Sequence, residues 1–169
     1  MKPESWLKKE DNNNKIERIG RLQFLAEITP ENKIWLFHGG FLVKALFEEA
    51  RYSFVYGQFL ASIILGLSFI EKTLASQLFG SGNDEYKDAP LIKIMKGALE
   101  KGWINIEEYQ QIESAKSIRN RVVHFREPID RDSIEYIVLD RNKFPYRIIE
   151  EEARYILNIS FNILSKFSC

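Results

Sequence analysis

The stretch "LASIILGLSFIEKTLASQL" (Leu60–Leu78) repeats its large apolar residues at steps of three and four. Leu60, Ile63, Ile64, Leu67, Ile70, Leu74 and Leu78 fall on one side of a 3.6-residue turn, which predicts a helix with a wide buried face. A helix of that kind needs partners, and the flanking sequence supplies them. Upstream, helical patterning begins at Phe41 and runs to Phe79, as one helix or as two with a break near Tyr52–Gly57. "IERIGRLQFLAEI" (16–28) predicts a short helix closed by Thr29-Pro30, and "KIWLFHGG" (33–40) a loop or short extended segment ending at two glycines. Residues 1–15 are charged, Asn-rich and nearly free of apolar side chains, which predicts a flexible arm ahead of one domain over 16–169.

Downstream, "GSGNDEYKDAP" (80–90) is rich in turn formers and reads as a connector. "LIKIMKGALEKG" (91–102) predicts a short helix ending at Gly102, followed by a longer one from about Ile106 to Phe125 that stops before Pro128. In "DRDSIEYIVLDRNKFP" (130–145), "IEYIVL" fits a helical turn or a strand. A last helix, roughly Arg147–Phe167, carries Ile149, Ala153, Ile156, Leu157, Ile163 and Leu164. The expected fold is an all-α bundle of four to five main helices.

Lysine plus arginine and aspartate plus glutamate number 24 each, so the 169-residue chain is formally neutral. A nucleic-acid binder usually has a basic surplus, so any such role here has to rest on a local patch. Cys169 is the only cysteine, which excludes an intrachain disulfide and suits a reducing cytoplasm. The first residues lack the apolar core of a signal peptide. "FVYGQFLASIILGLSFI" (54–70) approaches membrane-span length, but it contains Gln58 and two glycines and lacks basic flanks. No membrane association is expected.

Two charges interrupt apolar stripes. Arg119 falls among Ile112, Ala115, Ile118, Val122 and Val123, and Glu71 lies between Leu67, Ile70 and Leu74. A lone buried charge costs several kcal/mol. The pattern therefore predicts an Arg119–Glu71 ion pair between two core helices, unless Arg119 extends along its aliphatic stem to solvent.

Around Arg119 the sequence reads "SIRNRVVHF" (117–125). Residues 116–126 hold Lys116, Arg119, Arg121 and Arg126 and no acid. Asn120 and His124 are four apart, hence neighbours on one helix surface. No Cys-His, Ser-His-acid, zinc-ligand or phosphate-loop pattern stands out, and nothing calls for a metal or other cofactor. What remains is a histidine able to exchange a proton near neutral pH, beside guanidinium groups suited to phosphate. Those parts fit metal-free RNA cleavage, in which the ribose 2′-OH attacks the adjacent phosphate. DNA lacks that hydroxyl.

"RNRVVH" (119–124) resembles the signature of the HEPN superfamily: an Arg, a polar residue that is often Asn, a few variable positions, then His. The helix order agrees over roughly residues 51–167: an acid-bearing helix, a helix-loop unit, the motif helix and a closing helix. The resemblance implies a homodimer whose two motif helices meet, and an endoribonuclease of a toxin–antitoxin or defence system, or else a related non-catalytic protein that only binds RNA or a nucleotide, or only dimerises. It implies that His124 is the acid–base group, that Arg119 stabilises phosphate and that Asn120 orients them. Lys116, Arg121 and Arg126 would then hold substrate, and an antitoxin would be a partner. The family's frequent Tyr two residues after the His is Arg126 here, which sets aside control by nucleotidylation at that position. Arg119 and His124 are about 140° apart around one helix. A partner subunit, or an unwound turn before His124, would let both serve one phosphate. His38 has no counterpart and reads as a loop residue.

Overall fold

Pro3, Pro145, Gly57 and the Thr29-Pro30 step set the main boundaries of the chain. The computed structural model describes residues 2–31 and 33–168. Among them are seven α-helices and one 3₁₀ turn, with no strand: α1 Pro3–Ile28, α2 Phe41–Val55, α3 Phe59–Gly80, the 3₁₀ turn Asp84–Tyr86, α4 Leu91–Glu100, α5 Ile106–Val123, α6 Ile134–Arg141 and α7 Pro145–Lys166. The all-α reading holds, with more helices than the four or five expected.

One expectation is overturned and two open readings are resolved, each with a physical cause. The polar segment 3–15, expected to be irregular, is the first half of α1. Pro3 occupies the first helical position, where its missing N–H costs nothing. The helix ends at Ile28 because Pro30 drives Thr29 into the extended region, at φ −78° and ψ 118°. The ambiguous "IEYIVL" is helical: the Ser133 side chain caps it by accepting from the Tyr136 N–H at 3.0 Å, and Asn142 closes it in the left-handed conformation. The 41–79 stretch is two helices, broken at 56–58.

Gly57 sets that break. Its φ is +77°, and a Cβ there would stand 2.7 Å from the Tyr146 hydroxyl oxygen and 3.1 Å from an Arg21 nitrogen. Arg21 is buried beneath the turn. It donates to the Val55 carbonyl (3.2 Å), the Glu17 carboxylate (2.8 Å) and the Tyr146 hydroxyl (3.2 Å), with its guanidinium 4.9 Å from the Phe59 ring centroid. Buried Glu150 on α7 lies 3.8 Å from Arg21 and takes a 2.7 Å bond from Arg154. This network ties α1 to the α2–α3 turn and to α7.

Helix α3 is the central element and packs on α2, α4, α5 and α7. Its predicted stripe is buried at Ile63, Leu67, Ile70, Leu74 and Leu78, while Leu60 is exposed. Gly66 lets α7 approach closely: a Cβ there would come within 2.8 Å of Ile156, and Ser160 donates to the Gly66 carbonyl at 3.4 Å. Phe47, Phe69 and Phe161 meet in the core with ring centroids 5.0 Å apart in the Phe47–Phe69 and Phe47–Phe161 pairs. By length and composition α3 could cross a membrane, and half of its most apolar window is buried inside the bundle.

Candidate functional site

The motif lies at the end of α5. Asn105 and Glu108 form a reciprocal capping box at the start of that helix, with bonds of 2.9 and 2.8 Å. The start is therefore fixed, and the last turn carries Asn120–Val123. His124 is the first non-helical residue, at φ −118° and ψ 137°, and its N–H still reaches the Asn120 carbonyl at 3.0 Å. No turn unwinds ahead of the histidine. His124 itself leaves the helical path, with an exposed side chain.

Arg119 and Asn120 are half-buried, and among the described residues neither they nor His124 make a side-chain hydrogen bond. Lys116 is half-buried and Arg126 exposed. A single chain therefore brings the motif residues to one end of α5 without linking them to one another.

The Arg119–Glu71 pair does not form: among the described residues no ion pair within 4.0 Å joins them, and both are half-buried. The arginine that finds an acid is Arg121, which donates to Glu152 Oε1 of α7 at 2.5 Å. The reason is angular. Successive helical residues turn by about 100°, so Arg119 and Arg121 point some 160° apart, and only Arg121 faces α7. The side chains of Arg121 and Glu152 retain 13% and 9% of their exposure, so this is the ion pair that is nearly buried beside the motif. Arg121 also reaches toward the Asp132 carbonyl at 3.5 Å. Burial pushes the Glu152 carboxyl above its ordinary range, against the opposing pull of Arg121 and Arg141.

Ser117, Ile118 and Arg121 of α5, Arg141 of α6, and Glu152 and Tyr155 of α7 line an open cleft of about 520 Å³. Sequence reasoning missed Glu152, Arg141 and Tyr155. A signal existed for Glu152, which sits three residues after Ile149 and four before Ile156, at the edge of the α7 stripe. Arg141 and Tyr155 carry no pattern that marks them. A separate cleft of about 420 Å³, with Lys72 and Lys87 in its wall, lies at the start of α2.

His38 joins the loop before α2 to the C-terminal end of α7, with Nε2 3.2 Å from the Phe167 carbonyl oxygen. Among the described residues, no three His, Cys, Asp or Glu side chains group as a metal site. Compared with protein-family models, curated proteins and solved structures, the chain matches none.

Proposed function

We propose that the protein is a HEPN-like, metal-independent endoribonuclease of a toxin–antitoxin or defence system, working in the cytoplasm as a homodimer. The observation that carries this reading is the position of His124: exposed, at the first residue past α5, directly after the turn that holds Asn120 and Arg121. A histidine so placed is open to solvent and to a strand of RNA, with Lys116, Arg119 and Arg126 close in sequence to attract phosphate.

The 2′-oxygen attacks phosphorus, the P–O5′ bond breaks, and the products are a 2′,3′-cyclic phosphate and a 5′-hydroxyl. His124 takes the 2′ proton or delivers one to O5′, and Arg119 offsets charge on the non-bridging oxygens. The second copy in a dimer would supply the other proton carrier. Large apolar side chains stand exposed in the segment after the motif (Phe125, Ile129, Leu139 and Phe144), which suits such an interface. An antitoxin that covers the same end of α5 would silence the enzyme.

One observation favours a second reading, a non-catalytic module that binds RNA or a nucleotide. The side chains of Arg119, Asn120 and His124 are not preorganised by bonds to one another. Incubation of purified protein with single-stranded RNA and single-stranded DNA in excess EDTA separates the two readings. The ribonuclease reading expects RNA fragments ending in 2′,3′-cyclic phosphate and intact DNA. RNA binding without cleavage across a broad substrate panel favours the module.

A further inference from the structure

The cleft between α5, α6 and α7 has features of a built polar site that the motif chemistry does not use. Glu152 is some nine-tenths buried, yet among the described residues only its Oε1 takes a hydrogen bond. A carboxylate has about four acceptor positions, and Arg121 fills one of them. Among the described residues the buried Nε of Arg121 finds no acceptor, so this pair is not a saturated structural bridge. Lys143 pairs with Glu151 at 2.7 Å, while among the described residues Arg141 has no carboxylate within 4.0 Å. The cleft thus presents a fixed, acceptor-rich carboxylate, one uncommitted guanidinium and the side chain of Tyr155. Tyr155 is held by its hydroxyl, which donates to the Gln111 carbonyl at 3.3 Å.

Its place along α5 matters as much. Arg121 lies in the last turn of α5, and His124 is the residue that directly follows that helix. A nucleotide seated in the cleft would therefore stand beside a phosphate at His124. A volume of about 520 Å³ lies in the range of small-ligand pockets.

We propose that this cleft is a nucleobase subsite selective for guanine, with Glu152 accepting the base N–H groups, Tyr155 packing against the ring and Arg141 holding an adjoining phosphate. The base follows from hydrogen-bond chemistry. An ionised carboxylate only accepts, and guanine is the one RNA base whose Watson–Crick edge offers two adjacent N–H donors, N1–H and the 2-amino group. Adenine and cytosine each offer one amino group there, and uracil one imide N–H. The inference rests on the ribonuclease reading, and it names the nucleotide next to which that enzyme cuts. The groups facing Glu152 are Arg121 from α5, Arg141 from α6 and its neighbour Glu151 on α7. Because burial raises the Glu152 carboxyl, the guanine preference strengthens as pH rises through that titration.

The test is titration calorimetry of the full-length protein with 3′-GMP, 3′-AMP, 3′-CMP and 3′-UMP, alongside mapping of cut sites in a mixed-sequence RNA. The expected result is 3′-GMP binding about ten-fold or more tighter than the other three, with cuts next to guanosine. Glu152→Gln turns one acceptor into a donor and removes the preference. Ser117→Trp, an exposed position in the cleft wall, blocks all four ligands without touching the core. Equal affinity for the four nucleotides, or a preference that survives both variants, overturns the proposal. RNA cleavage without guanine preference overturns this subsite and leaves the ribonuclease reading intact. Selective 3′-GMP binding without RNA cleavage supports the subsite and removes the ribonuclease reading.

Discussion

At the scale of single residues, Arg119 and Arg121 stand two apart on α5, and among the described residues only the second pairs with an acid. Removing that acid leaves a guanidinium nearly buried without a partner. Glu152→Ala should destabilise the fold by about 2 to 3 kcal/mol, less than for a fully enclosed pair because the cleft lets water in. Glu71→Ala should change stability by less than about 1 kcal/mol, since no ion pair is lost. Urea unfolding of both variants checks the contrast. Titration gives a second check. Burial raises the Glu152 carboxyl, so the folded protein holds this proton more tightly than the unfolded chain. Its contribution to stability therefore falls as pH rises from the ordinary carboxylate range through the raised value. Glu152→Gln should flatten that part of the profile of urea midpoint against pH. The sequence reading expected an Arg119–Glu71 pair unless Arg119 extended to solvent, and it gave no sign of the Arg121–Glu152 pair. Arg119 lies inside the apolar stripe but near the helix end, where its stem can reach solvent. Arg121 lies off the stripe of α5 yet faces α7, a neighbour that periodicity within α5 does not reveal.

Among the elements, α1 departs most from its sequence reading. Its second half is legible, with Phe24, Leu25 and Ile28 at helical spacing. Its first half has no apolar repeat, so periodicity is silent there. Helix propagation is far easier than nucleation, and a helix anchored at Arg21 and Leu25 can extend backwards through polar residues. An Asp11–Arg18 ion pair at 3.0 Å supports that extension. The anchor is testable. Arg21→Ala removes bonds to Val55, Glu17 and Tyr146 and should lower stability by about 2 to 4 kcal/mol. The same variant should speed amide hydrogen exchange throughout α1 while α3 stays protected. Equal loss of protection in α1 and α3 would show that α1 is no separable unit. The short α6 escaped a firm reading for a related reason: it buries no residue fully, and its caps, Ser133 and Asn142, define it better than its apolar pattern does. Helices α3, α5 and α7, by contrast, were legible because each carries a stripe several turns long.

For the whole molecule, the proposed ribonuclease needs two copies, because a single chain leaves Arg119, Asn120 and His124 unlinked at the end of α5. Light scattering at micromolar concentration should give a dimer mass. Phe125 is 89% exposed and adjoins His124, so Phe125→Asp should weaken that dimer about ten-fold or more while leaving thermal stability of the protomer nearly unchanged. A monomer at high concentration would remove the shared-site explanation. Under the proposed function His124 moves a proton during RNA cleavage. The deciding measurement compares cleavage rates of the wild-type protein and His124→Ala on one single-stranded RNA in EDTA, with folding matched by circular dichroism. The expected result is a fall of about 100-fold or more, the usual scale of general acid–base assistance. An unchanged rate in His124→Ala would contradict it.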